Sequence, residues 1–219
     1  LFLEPGDEAR FQALPLPPSP TAGVFVGDAI DLLASIPAGA VDLLFADPPY
    51  NLGKDFGNNR DRRKDYPQWT ARWLDQAARV LSPRGSIYVC STWERSGLFQ
   101  SLISERFVLR NRITWKRDKG RGAKSNWKNL HEDVWFATKG EDYFFNVEAV
   151  KVKKPVVAPY RDGQGRPKDW AETAEGRFRM THPSNLWTDL CVPFWSMPEN
   201  TPHPTQKPER LVERVLLAS

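Results

Sequence analysis

The apolar run Val41-Asp42-Leu43-Leu44-Phe45-Ala46 leads at once into Asp47-Pro48-Pro49-Tyr50. A near-continuous apolar run of this length is the pattern of a strand buried on both faces of a parallel sheet. Two successive prolines have no N–H to give to a ladder, so the strand ends at Ala46 and the chain turns at Asp47. In open sheets whose strands alternate with helices, ligands bind beyond the carboxyl ends of the strands. The sequence therefore sets a carboxylate, two stiff prolyl units and an aromatic ring at the edge where such a sheet does its binding.

The flanking residues supply the alternation that this reading needs. Residues 24–26 read as a short buried strand, followed after Gly27-Asp28 by a helix with Ile30, Leu33 and Ile36 on one face, which Pro37 ends. Residues 51–65 form a polar loop too long for a plain connector and are a candidate lid or substrate loop. Pro67 suits a first helical turn. Trp69, Trp73, Ala77 and Val80 then recur at helical spacing until Ser82-Pro83. Residues 85–92 read as a strand, 93–104 as a helix, and 107–117 and 132–140 as two more strands.

The expected fold is α/β, a mostly parallel sheet flanked by helices, built as one main domain from the 219 residues. Residues 1–21, with "LPLPPSP", read as an N-terminal arm, and 22–145 with 198–219 as the core. Residues 146–197 lose the alternation and read as a less regular lobe.

The net charge of +4 hides an uneven distribution, since residues 110–129 alone carry +7. Trp115, Trp127, Asn126 and Asn129 are interleaved with those cations, the mixture used on nucleic acid, although a solvated charged loop gives the same composition. Two cysteines, Cys90 and Cys191, make no disulfide framework, which points to a reducing, cytoplasmic setting. His131, His182 and His203 lack metal-ligand spacing, so no metal is expected. No apolar run reaches the ~18 residues of a membrane span, and no membrane partner is expected.

Alone, Asp-Pro-Pro-Tyr also fits a rigid turn in which Tyr50 packs on the core. Further pieces occur in order around it: "GDAIDLL" before, then "LSPRGSIYV", "HEDVWFATKG" and "HPTQKPERLVERVL". With them the chain resembles the amino-group DNA methyltransferases, which modify adenine N6 or cytosine N4, in the subgroup whose Asp-Pro-Pro-Tyr precedes the cofactor motif.

The resemblance covers residues 24–217 and implies a Rossmann-like fold that binds S-adenosyl-L-methionine (AdoMet) and acts on a base flipped out of double-stranded DNA. It implies catalytic roles for Asp47, Pro48, Pro49 and Tyr50. The Asp47 carboxylate and Pro48 carbonyl would accept from the amino group, and Tyr50 would stack on the base. It puts Asp28 near the cofactor, where a helix N-cap is the alternative. His203, Thr205 and Lys207 precede the helix opened by Pro208, and a helix N-terminus suits the cofactor's carboxylate, with surface capping the alternative. Lys116, Arg117, Lys119, Arg121, Lys124 and Lys128 would hold phosphates, and the lobe would read base edges.

Asp rather than Ser at position 47 favours adenine over cytosine, and Asn there would have suggested protein glutamine methylation. No Pro-Cys pair is present, so cytosine C5 chemistry is not indicated. The resemblance leaves room for a homodimer and for a cognate restriction endonuclease acting separately.

One piece of the pattern is missing. The family's Phe-x-Gly-x-Gly cradle has no match, since the pairs Gly120/Gly122 and Gly163/Gly165 follow basic or polar residues. It is expected beyond the helix opened by Pro208, so the chain reads as a fragment of an active enzyme that by itself binds AdoMet poorly. The rival readings are a DNA-binding protein without catalysis and an RNA methyltransferase.

Overall fold

The computed structural model describes residues 23–54, 61–117, 124–157, 159–174, 176–203 and 205–219. In chain order the elements are α1 (Ala29–Ser35), β1 (Val41–Ala46), α2 (Tyr66–Val80), β2 (Leu81–Ser91), α3 (Trp93–Ser104), β3 (Val108–Lys116) and β4 (His131–Thr138). A 3-10 turn (Glu148–Val150) leads to β5 (Val152–Pro155), β6 (Ala171–Thr173), β7 (Gly176–Thr181), β8 (Leu186–Trp187) and α4 (Glu209–Ala218).

The central sheet has the order β1-β2-β4-β3-β8. β1 and β2 are parallel, as are β3 and β8, and β4 is antiparallel to both neighbours. Four strands therefore share one direction and β4 alone is reversed, the mostly parallel sheet that the alternation of elements requires. Side chains alternate across each strand. Ile87 and Val89 of β2 and Trp135 and Ala137 of β4 pack with α2 and α3 on one face. Tyr88 and Cys90, with Val134 and Phe136, meet Leu211 and Val215 of α4 on the other. Both faces are covered over β2 and β4, whose apolar runs are buried, whereas β1, read as buried on both faces, stands at the end of the described sheet and is only half-buried.

The register fixes what stands at the carboxyl edge. Ala46 pairs with Val89, close to the end of β2, so Asp47 leaves the sheet there. Because β4 runs the other way, its first residues reach the same edge, with Glu132 opposite Trp115.

Two expectations about elements change. Residues 24–26 form no strand, and Val24 and Val26 are 61% and 56% exposed. An apolar triplet becomes a strand only beside a partner edge, and among the described residues this one pairs with none. β2 starts at Leu81, directly after α2, rather than at residue 85. Val41 pairs with Leu81 but Leu43 with Ser86, so three extra residues bulge out of β2.

Within the span read as a lobe, β5, β7 and β6 form a separate antiparallel sheet, while β8 joins the central one. Gly163 and Gly165 lie in a turn there, in which the Asp162 carboxylate accepts from the N–H groups of Gln164 and Arg166. No described helix is long and apolar enough to cross a membrane.

Candidate active site

The residues after β1 are held in place by their carbonyls. The Tyr66 hydroxyl donates to the Pro49 carbonyl at 2.7 Å. Arg95, from the first turn of α3, donates to the carbonyls of Tyr50 and Asn51 at 3.2 and 3.0 Å. Asn51 has a φ of 58°, a left-handed conformation that Asn tolerates better than most residues. Its side chain exchanges two hydrogen bonds with the backbone of Arg63, and Asp61 accepts from the N–H groups of Leu52 and Lys54. The described ends of the 51–65 loop are thus tied back onto the motif. Residues 55–60 of that loop lie outside the described residues.

Both oxygens of Asp47 are engaged. Oδ1 accepts from the Tyr50 hydroxyl at 2.8 Å, and Oδ2 accepts from the Lys207 ammonium at 2.8 Å. A second carboxylate, Glu132, stands within reach of the same two donors: its Oε2 lies 3.2 Å from the Tyr50 hydroxyl and 3.3 Å from Lys207 Nζ. The other Glu132 oxygen accepts from Arg117 at 2.7 Å. The side chains of Glu132 and Lys207 are only 7% and 8% exposed. Two cations and two anions in one hydrogen-bonded group are what permits such burial.

The titrations follow from this geometry. Burial alone would pull the Lys207 ammonium below its ordinary value, but the charges of Glu132 and Asp47 outweigh it and hold Lys207 above that value. Burial, reinforced by Cys90, Glu132 and Asp47, pushes the Tyr50 phenol far up, so Tyr50 is a neutral donor. Burial likewise raises the Cys90 thiol well above its ordinary value, which leaves it an inert core residue.

Two adjoining clefts open here. One, of about 350 Å³, is lined by Asp47, Pro48, Pro49, Tyr50 and Asp61 together with Lys54, His203, Thr205 and Lys207. The other, of about 340 Å³, shares those last four residues and adds Trp115, Arg117, Glu132 and Gln206. His203, Thr205 and Lys207 therefore stand with Asp47 and not apart from it. The first N–H of α4, that of Glu209, is already taken by the Glu199 carboxylate at 2.8 Å.

Asp28 is the N-cap of α1, accepting from the Ile30 N–H at 2.8 Å. Lys116, Lys124 and Lys128 are exposed, as is Trp127 at 96%. Arg117 is mostly buried on Glu132, and Lys119 and Arg121 lie outside the described residues.

Glu132, Arg95 and Tyr66 were not singled out from the sequence. The signal for Glu132 was present, as two acids, Glu132 and Asp133, stand directly before the apolar run Val134-Trp135-Phe136-Ala137. Its partners come from strands and loops far away along the chain, so the sequence alone does not reveal the contact.

Residues 41–219 match the N6/N4 family described as DNA methylase. The chain is 32% identical over 202 residues to the DNA adenine methyltransferase YhdJ of Escherichia coli K12, covering 88% of this chain and 65% of that protein. It is 31% identical over 197 residues to the type II methyltransferase M.HpaI of Haemophilus parainfluenzae, covering 88% of this chain and 58% of the relative. The chain thus spans about three fifths of these relatives' length. Among solved structures, the cytosine-N4-specific PvuII DNA methyltransferase superimposes with a TM-score of 0.62 at 18% identity, over 92% of this chain and 72% of that one.

Proposed function

Since the chain belongs to the N6/N4 DNA methylase family, we propose that it serves transfer of a methyl group from AdoMet to the exocyclic N6 of an adenine flipped out of duplex DNA. The observation that carries this is the Asp47 carboxylate, fixed at the carboxyl edge of the sheet and facing a cleft of about 350 Å³. When bound, AdoMet supplies an electrophilic methyl on its sulfonium and leaves as the neutral thioether.

The protein's task is then to make a poor nucleophile attack. The adenine amino lone pair is delocalised into the ring, and acceptors around its hydrogens favour the pyramidal nitrogen that has a free lone pair. The Asp47 carboxylate and Pro48 carbonyl are suitable acceptors. Tyr66 and Arg95 hold the neighbouring carbonyls, so these acceptors are preorganised rather than recruited. The nitrogen becomes strongly acidic only once it carries the methyl, so its proton leaves then and Asp47 need not be a strong base. Tyr50 would stack on the base. His203, Thr205 and Lys207 would meet the cofactor's carboxylate, with Lys207 the fitting group because it is a buried cation lining both clefts.

Flipping costs a few kcal/mol, offset in part by phosphate contacts. The exposed Lys116, Lys124 and Lys128 suit that role, with Trp127 beside them. The core of residues 22–145 and 198–219 would hold base and cofactor, and the lobe of 146–197 would read base edges. The proposed partner is double-stranded DNA, in the cytoplasm. A homodimer and a separate endonuclease rest on the family resemblance alone.

The test is transfer of labelled methyl from AdoMet by the full-length protein to unmethylated plasmid DNA or to RNA. The expected product is N6-methyladenine in DNA. N4-methylcytosine would move the target base, and label in RNA alone or in neither would overturn the reading.

A further inference from the structure

The two donors that cap Asp47 are the two that Glu132 Oε2 can also receive. The distances are 2.8 Å against 3.2 Å for the Tyr50 hydroxyl and 2.8 Å against 3.3 Å for Lys207 Nζ. A tyrosine has one hydroxyl proton, so Tyr50 can give it to Asp47 or to Glu132 but not to both. Lys207 also lies over the Tyr50 ring, 5.4 Å from its centroid. A base that stacks on that face and turns its amino group to Asp47 must displace the ammonium. Displacing a buried cation is costly unless another acceptor keeps it. Glu132 is that acceptor: it is buried, and Arg117 pins its other oxygen at 2.7 Å, leaving Oε2 for Tyr50 and Lys207.

We propose that Glu132 is a positioning residue that takes over the Tyr50 hydroxyl and retains the Lys207 ammonium while Asp47 turns to the target amino group. In the resting arrangement Asp47 is capped on both oxygens and holds its geometry. When the base arrives, the Tyr50 proton swings to Glu132, Lys207 moves onto the same oxygen, and Asp47 becomes an open acceptor. No bond is made or broken apart from hydrogen bonds. This inference rests on the methyl-transfer reading and adds to it the residue that clears the acceptor.

The experiment uses the full-length protein, unmethylated plasmid DNA and labelled AdoMet. It compares single-turnover methylation, equilibrium DNA and AdoMet affinity, and thermal unfolding for the parent and Glu132→Gln. The amide keeps the shape but lacks the charge that draws both donors away from Asp47. Methylation at saturating AdoMet is expected to fall by roughly ten- to a hundredfold, as for loss of a hydrogen bond to a charged group, with DNA affinity unchanged. Adding Tyr50→Phe to Glu132→Gln removes one of the caps left on Asp47 and is expected to restore part of the rate, whereas Tyr50→Phe alone brings no gain.

A merely structural role for Glu132 does not predict that recovery. A Gln variant at the parental rate, or a double variant no faster than Glu132→Gln, would overturn the inference while the parent's own activity stands. A parent that labels no DNA would remove the premise and the inference with it. If Glu132→Gln does not fold, Glu132→Asp replaces it. The shortened carboxylate falls short of both donors, so a slower rate at unchanged DNA affinity is expected and the parental rate would overturn the proposal.

Discussion

Asp47, Glu132, Lys207 and Arg117 meet in one group, and at the scale of single residues the consequence is that removing Lys207, the cation both carboxylates share, leaves each of them short of a partner. Lys207→Met leaves Asp47 without its cation and Glu132 with Arg117 alone. Removing one partner of a buried ion pair costs about 3–5 kcal/mol, so urea unfolding should show a loss of that order at neutral pH. The sign with pH follows from the direction of the shift. Lys207 is held above its ordinary value, so its contribution is fully present below the unfolded lysine value of about 10.4 and fades as pH rises through the higher folded value. The stability gap between parent and Lys207→Met should therefore be constant from neutral pH to about pH 10 and close only above it. A gap that closed near pH 7 would mean that Lys207 is not the cation of this group. Tyr66→Phe is a milder change. It deletes the donor to the Pro49 carbonyl and should cost about 1 kcal/mol by the same unfolding measurement.

Among the elements, the junction of α2 with β2 is the sharpest constraint. A Cβ on Gly85 would sit 3.1 Å from the carbonyl oxygens of Asp42 and Ser82, and both are backbone atoms. Gly85→Ala should therefore destabilise by about 1–3 kcal/mol, seen as a lower thermal midpoint, with β1 loosened against β2. An unchanged midpoint would show that the bulge can shift at no cost. The same junction marks where sequence reading ends. β1 and α3 were legible to the residue, because an apolar run stopped by two prolines and a helical period between turn signals are local patterns. The start of β2 at Leu81 was not, since it depends on how the bulge registers against β1. Residues 24–26 looked like a strand because an apolar triplet carries no information about whether an edge lies beside it. β8 is only two residues long and pairs with Thr114 and Trp115, more than 70 positions earlier, so no local period announces it. In the candidate site, Asp47 to Tyr50 and Lys207 were legible as motif residues, whereas their direct contact was not. Glu132, which joins them, comes from the reversed strand β4.

Across the whole molecule, the described part of the basic segment divides between solvent and the site. Lys124, Lys128 and Trp127 face solvent, while Arg117 is turned inward to Glu132. The inward turn of Arg117 makes the exposed lysines the ones to test. Lys124→Ala with Lys128→Ala should weaken binding to all duplexes alike and lower the salt slope by roughly one unit per lost phosphate contact. An unchanged slope would return the segment to a solvated loop. The central claim is that methyl transfer depends on the Asp47 carboxylate at the carboxyl edge of the sheet. It is tested most directly by single-turnover methylation of unmethylated plasmid DNA by full-length Asp47→Ala, beside equilibrium DNA binding and a check that the variant remains folded. The expected rate is lower by roughly a hundred- to a thousandfold, the usual cost of one preorganised electrostatic partner, with DNA affinity little changed because the proposed phosphate contacts lie on other residues. Methylation at the parental rate would contradict it and leave Asp47 as a turn residue only.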